Sequence, residues 1–452
     1  MTHETSDGFD AGAFIDALKT RTPGEHEFHE AVAEIVRDLE PVIAGREDLR
    51  ALAVLERLVE PDRIVSFRVA WEDDAKRVRV NRGWRVQFNS AIGPYKGGLR
   101  FHPGVNASVL KFLAFEQTFK NALTGLPKGG GKGGADFDPR GCSDREIMRF
   151  CQALMVELQR YIDPDVDVPA GDINVGAREI GYLFGAYKRI TGEFEGVLTG
   201  KGLSYGGSQM RTEATGYGLV HFVAEMLRVR DASLEGQVVL VSGAGNVATH
   251  AAQKAGALGA RVVTLSDSGG LLHLADGFTP DAIDAVRRHK ARPGASLEGC
   301  AKALGAQWHP GRKPWGIDCT LALPCATQNE LDAADAKALV DGGCRLVAEG
   351  ANMPCTPQAR RVFADARIPL GPGKAANAGC VAVSGFEISQ NETRRYATRD
   401  AIEADLVGMM RAIHARCLEH GTREDGWIDY GRGANLAGFR RIADAMIAQG
   451  IG

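Results

Sequence analysis

The chain has 452 residues, of which 44% are hydrophobic and 25% charged, with a formal net charge of −3; its length exceeds what one hydrophobic core usually serves, so two domains are expected. The near-neutral balance argues against a general nucleic-acid binder, and no apolar run approaches the roughly 20 residues that span a bilayer. The N-terminal MTHETSDGFD lacks the basic and apolar regions of a secretion signal, and nine scattered cysteines without a C-x-x-C pair point to neither a disulfide framework nor a zinc site, so a cytoplasmic protein with no metal, nucleic-acid or membrane partner is expected.

The first 60 residues read as helices. Arg63 to Trp71 alternates apolar and polar residues, Glu72-Asp73-Asp74 reads as a turn, and Val78 to Phe88 alternates again, which predicts a small sheet of half-buried strands. A helix is predicted from about Ala107 to Leu123. Another starts at Ser143, which has capping-box spacing with Glu146; its apolar positions Ile147, Phe150, Leu154, Leu158 and Tyr161 recur at helical spacing. After Gly206 the character changes. Short apolar runs at Val238 to Val241, Arg261 to Leu265, and near Leu321 and Leu346 alternate with helical patterns, as in a parallel, doubly wound α/β sheet. The domain boundary is expected at 205/206, and the segment from about Trp427 reads as a separate helix.

Gly243-x-Gly245-x-x-Ala248 follows a predicted strand and opens a predicted helix. The first glycine makes the tight turn, the second lets backbone approach a pyrophosphate, and Ala248 keeps helix and sheet close. The helix N-terminus offers unpaired N–H groups and partial positive charge to phosphate. Asp267 lies roughly 20 residues on, as a dinucleotide fingerprint requires. An acid there holds a ribose 2′-hydroxyl and favours NAD, whereas Ser268 and the basic run Arg287, Arg288, Lys290 and Arg292 favour NADP or form a solvated helix face. These residues alone leave the choice open.

Gly125 to Gly134 reads GLPKGGGKGG. It is not a phosphate-binding P-loop, because Gly133 rather than Ser or Thr follows Lys132 and Leu126 stands where the first glycine belongs. Five glycines flanking one lysine carry an entropic cost, so a glycine-rich loop that positions Lys132 competes with a flexible surface loop. On the preceding helix Leu110, Leu113, Gln117 and Lys120 share a face. Lys96, within Pro94-Tyr95-Lys96-Gly97-Gly98, is a third lysine in glycine-rich surroundings. Three lysines at one site would attract a dicarboxylate and lower one another's pKa, leaving one able to act as a base or polarise a water. Asp172, in Pro169-Ala170-Gly171-Asp172-Ile173, is the candidate acid partner, or else a turn residue.

Taken together, the segments PYKGGLRFHPGVN, KFLAFEQTFKNALTGLPKGGGKGG, DVPAGDINVG, RTEATGYG from Arg211, LPCATQNEL, VAEGANMP and PGKAANAG resemble the hexameric glutamate dehydrogenases of the shorter microbial type, from about residue 60 to the C-terminus. The resemblance implies reversible oxidative deamination of L-glutamate to 2-oxoglutarate and ammonium. It implies Lys132 as catalytic lysine and Asp172 as proton shuttle, Lys96 with Ser384 on the side-chain carboxylate, and Gln117 with Lys120 on the α-carboxylate. Arg211, Thr215, Gly243, Gly245, Asn246, Val247, Asp267, Ser268, Lys290, Asn352 and Asn377 are implied at the cofactor, which the Ser268–Lys290 pattern makes NADP, with NAD the alternative. It further implies a homohexamer and two domains with the active site in a cleft. These are a substrate and assembly domain over 1–205, rejoined by 427–452, and a Rossmann-like domain over 206–426. Related leucine, valine and phenylalanine dehydrogenases are the alternative family members; they are shorter and carry an apolar residue where Lys96 stands. Cys380 departs from the glycine more usual at its position.

Overall fold

A computed structural model describes residues 9–292 and 294–451; residues 1–8, part of the segment read for a secretion signal, lie outside them. The chain forms two compact units. The first comprises residues up to Arg211 with Ser384–Arg399 and Asn435–Gly452, and the second Thr212–Val383 with Asp400–Ala434. Ser384–Arg399, placed in the second domain on sequence grounds, therefore belongs to the first unit, and the division falls at Arg211 rather than at 205. The physical reason is packing. Glu387, Gln390 and Asn391 hydrogen-bond to Gly200, Lys201, Ser208 and Gly206 of the first unit.

The first unit holds a five-stranded mixed sheet in the order β1-β2-β4-β3-β5. Its strands are β1 (Arg63–Glu72), β2 (Val78–Asn89), β3 (Tyr95–Phe101), β4 (Gly130–Ala135) and β5 (Asp167–Gly171). β1 and β2 pair antiparallel, as do β2 and β4, while β3 runs parallel to both β4 and β5. The predicted helices are present at Ala107–Leu123 and Asp144–Leu158, and Ser143 and Glu146 form the expected reciprocal cap. Phe101, Phe137 and Phe150 pack beneath the sheet, with the Phe137 and Phe150 rings stacked at 3.8 Å.

Two expectations fail here for identifiable reasons. β2 is buried throughout from Gly83 to Asn89 rather than on alternate residues, because the polar side chains of Arg85 and Gln87 find partners inside. Arg85 Nε and Gln87 Nε2 both donate to Asp167 Oδ2, at 2.8 and 3.0 Å. The glycine-rich segment around Lys132 is not a loop but the strand β4, between β2 and β3 and wholly buried. Its glycines admit neighbours that a side chain would exclude. A Cβ on Gly130 would stand 1.8 Å from Thr118 Oγ1, and one on Gly97 of β3 would stand 1.6 Å from the Gly131 carbonyl oxygen.

The second unit contains the doubly wound parallel sheet, in the order β13-β12-β11-β6-β7. These strands are β6 (Val238–Val241), β7 (Arg261–Val262), β11 (Leu321–Leu323), β12 (Leu346–Ala348) and β13 (Leu370–Gly371). They are apolar and buried almost throughout, as expected of strands covered on both faces. The run read as one strand from Arg261 to Leu265 divides after Val262. Its second part, β8 (Thr264–Asp267), leaves the parallel sheet and joins β9 (Gly270–His273) and β10 (Gln307–Pro310) in a separate antiparallel sheet. Among the described residues no helix is long and apolar enough to cross a membrane.

Candidate active site

In the first unit, strand order delivers the predicted side chains to one place. Lys132 projects from β4 and donates to Asp172 Oδ1 at 2.9 Å; Asp172 follows β5 directly and accepts from Arg100 Nε of β3 at 2.6 Å through its other oxygen. Glycine makes this possible at β3 too, since a Cβ on Gly98 would lie 2.7 Å from the Asp172 Cβ. Burial depresses the Lys132 pKa; the Asp172 carboxylate opposes this, and the Arg100 and Lys120 charges add to it. Burial alone would raise the Asp172 pKa, but the Lys132 ammonium and Arg100 guanidinium outweigh it and hold the carboxyl well below its usual range.

Lys96, on β3 and 4% exposed, donates to Thr199 Oγ1 at 2.8 Å, and Thr199 Oγ1 shares a 3.0 Å hydrogen bond with Ser384 Oγ. Lys96 and Ser384 thus meet through Thr199 rather than directly. Burial pushes the Lys96 ammonium well below its usual range, reinforced by the charges of Lys128, Arg211 and Arg85 and opposed by Glu387. Gln117 donates to Asn121 Oδ1 at 2.7 Å, and Asn121 Nδ2 donates to the Lys96 carbonyl at 3.1 Å, which ties the Ala107–Leu123 helix to β3. The unit therefore gathers Lys96, Gln117, Lys120, Lys132, Asp172 and Ser384. Arg211, expected at the cofactor, ends this unit; its charge bears on Lys96, and its buried Nε has no partner among the described residues. Sequence reasoning missed Thr199, Asn121 and Arg100. Arg100 and Asn121 lie inside two of the quoted motifs, whereas nothing around Thr199 marks it.

In the second unit Gly243 follows β6 at φ +84°, a conformation that glycine alone adopts without strain. Gly245 precedes the Asn246–Ala257 helix, and a Cβ there would meet nothing within 4 Å, so the space beside Gly245 at the helix start is open. Thr215 lies in the first turn of the Ala214–Arg228 helix, which packs on the Asn246–Ala257 helix at Gly216. Asn377 Nδ2 donates to Asn352 Oδ1 at 3.0 Å, so these two residues form one cluster. At the end of β8, Asp267 accepts from Lys290 Nζ at 3.0 Å and from the amides of Leu297 and Gly269 at 2.8 and 3.0 Å. Burial opposes its ionisation, but those amides and Lys290 win and lower its pKa. Ser268, Lys290 and Arg292 line an open cavity of about 420 Å³ beside it.

Residues 206–450 match the Glutamate/Leucine/Phenylalanine/Valine dehydrogenase family, and residues 61–189 match the Glu/Leu/Phe/Val dehydrogenase dimerisation domain. The NAD(P)-specific glutamate dehydrogenase of Xylanibacter ruminicola is 52% identical, the alignment covering 97% of this chain and 98% of that one. The NADP-specific glutamate dehydrogenase of Psychrobacter sp. (strain TAD1) is also 52% identical, with the same coverage of both chains. Among solved structures, Plasmodium falciparum glutamate dehydrogenase superposes with a TM-score of 0.95 at 48% identity, over 97% of this chain and 94% of that one. With two matched domains and half-identical relatives across nearly its whole length, the chain belongs to the Glutamate/Leucine/Phenylalanine/Valine dehydrogenase family.

Proposed function

We propose that this protein is a glutamate dehydrogenase that catalyses reversible oxidative deamination of L-glutamate to 2-oxoglutarate and ammonium with NADP. The observation that carries the choice within the family is the buried Lys96–Thr199–Ser384 chain. A lysine that is 4% exposed holds its charge at a cost that an anionic partner relieves; a substrate with a second carboxylate supplies that partner, and an apolar side chain does not. Arg211, whose buried Nε has no hydrogen-bond partner among the described residues, adds a further cation to that end of the site, with Lys128 and Arg85.

Gln117 and Lys120 hold the α-carboxylate at the other end of the substrate. Fixing both ends orients Cα, and orientation of this kind lowers a barrier by up to roughly 7–11 kcal/mol. Lys132, with its pKa lowered by burial, activates the water that attacks the 2-imino acid, and its charge stabilises the developing anion. Asp172, ionised beside Lys132 and Arg100, moves protons to and from the substrate nitrogen.

The second unit fits NADP. The open helix start at Gly245 suits a pyrophosphate, and the Ser268–Lys290–Arg292 cavity suits a 2′-phosphate. Asp267 is compatible with that phosphate because its charge is already engaged by Lys290 and two backbone amides. When bound, NADP supplies the hydride acceptor. NAD is the second reading, favoured by the acid at the ribose position.

A homohexamer in the cytoplasm accompanies this function: the match of residues 61–189 to a dimerisation domain and the exposed Val78 and Val80 on β2 support assembly, and nine free cysteines support a reducing compartment. Light scattering that gives six times the 48.4 kDa chain mass tests the assembly. The activity is tested by the fall in reduced-cofactor absorbance with 2-oxoglutarate and ammonium, run separately with NADPH and NADH. Oxidation of NADH alone overturns the cofactor assignment, and oxidation of neither overturns the function.

A further inference from the structure

Ser384 and Thr199 come from segments 185 residues apart, and their 3.0 Å contact needs a cause. It is found three residues along the Gly379–Thr393 helix, at Glu387. The Glu387 carboxylate accepts from the Gly200 amide at 2.9 Å and the Lys201 amide at 3.2 Å, and pairs with Lys201 Nζ at 3.0 Å. Both side chains are 0% exposed. Lys201 Nζ also donates to the Leu198 carbonyl. One buried carboxylate thus grips the residues on the C-terminal side of Thr199, and its lysine partner grips the residue before it. The opposite edge is held where the Thr199 amide donates to the Pro169 carbonyl at 3.0 Å.

An unpaired buried charge is expensive, and either partner without the other would be. An apolar pair would fill the same space without that cost, so the pair invites an explanation beyond stability. Glu387 also acts on the site electrostatically, because its charge favours the protonated form of Lys96 against burial and three neighbouring cations.

We propose that Glu387 and Lys201 are positioning residues for the subsite that receives the distal carboxylate of the substrate, setting Thr199 between Lys96 and Ser384. The inference rests on the glutamate dehydrogenase reading. It predicts that the pair governs recognition of that carboxylate and leaves cofactor handling and the Lys132–Asp172 chemistry alone.

The test compares Glu387→Gln, the double variant Glu387→Gln/Lys201→Met and the milder Glu387→Asp with the wild type. The double variant removes both charges, so no uncompensated ion is left in the core. The expected result is a KM for 2-oxoglutarate raised about tenfold or more in the folded double variant. KM for NADPH and for ammonium stay within about twofold of wild type, and Glu387→Asp gives a smaller rise in the same direction. A pair that only stabilises the fold gives the opposite pattern, with normal KM for 2-oxoglutarate once the double variant is folded, and that result overturns the proposal. If the glutamine variants do not fold, the aspartate variant decides on the same criterion. A wild-type protein inert toward 2-oxoglutarate fails the functional reading itself, whereas an active wild type with unaffected variants fails only this inference.

Discussion

Replacing Lys132 by Met separates stability from chemistry, and the structure sets the size of both effects. Lys132 is one of two cations on Asp172, and Arg100 remains at 2.6 Å when it is removed. The loss of a charge-assisted hydrogen bond costs about 1.5–3 kcal/mol. Against it, the ammonium side chain is only 6% exposed, so methionine relieves a desolvation penalty of several kcal/mol. The two terms largely cancel, and stability is expected to change by no more than about 2 kcal/mol, a shift in Tm under about 4 °C for a chain of this size. Turnover loses both the group that activates water and the charge that meets the developing anion, and should fall by about 10³-fold. Three measurements check this: the rate of NADPH oxidation with 2-oxoglutarate and ammonium, NADPH binding followed by fluorescence, and thermal unfolding. Near-normal turnover in a folded variant refutes the role of Lys132, and loss of NADPH binding refutes its confinement to the chemical step.

Other substitutions have different signatures. Asp172→Asn leaves Lys132 and Arg100 buried without their carboxylate, so it should lose activity and also destabilise by about 3–5 kcal/mol, read in denaturant unfolding. Lys290→Ala should raise KM for NADPH while sparing NADH, because it removes a cation from the cavity beside Ser268 and releases Asp267; the ratio of the two kcat/KM values reports it. Gly97→Ala would drive a methyl group to 1.6 Å from the Gly131 carbonyl oxygen, and should give little folded protein, scored by soluble yield and circular dichroism. Burial lowers the pKa of His221 and of His414 to about 4, from an ordinary 6.5. The unfolded chain therefore binds more protons between those values. The stability present above pH 6.5 falls as the pH drops toward 4, by up to about 3 kcal/mol for each histidine; His414→Gln should flatten that part of a stability–pH curve.

Local patterns were legible in the sequence, and long-range pairings were not. The Ser143–Glu146 cap, the Ala107–Leu123 helix and the turn at Gly243 depend on neighbours a few residues away, so spacing alone reveals them. The Lys132 segment is harder, since glycines signal a geometric demand without saying which. Propensity reads six small or charged residues as a loop, whereas close approach by Thr118 and β3 makes them an interior strand. The division of Arg261–Leu265 after Val262 is likewise a tertiary effect, because a run of apolar residues does not state which sheet each end joins. Thr199 gave no signal because the partners of its hydroxyl lie 103 and 185 residues away.

The strand β4 has a consequence for how such a protein can change. Apart from Lys132 and Ala135, it presents no side chains, so there is nothing on it to resize or re-polarise, and every glycine is committed to contact with a neighbour. Variation that alters which substrate is accepted must then enter from the flanking strands and helices, while β4 stays fixed as a rail that carries one amine. A saturation library across residues 129–134 should come back nearly empty of active clones, and one across the residues lining the Lys96 end should return the altered specificities.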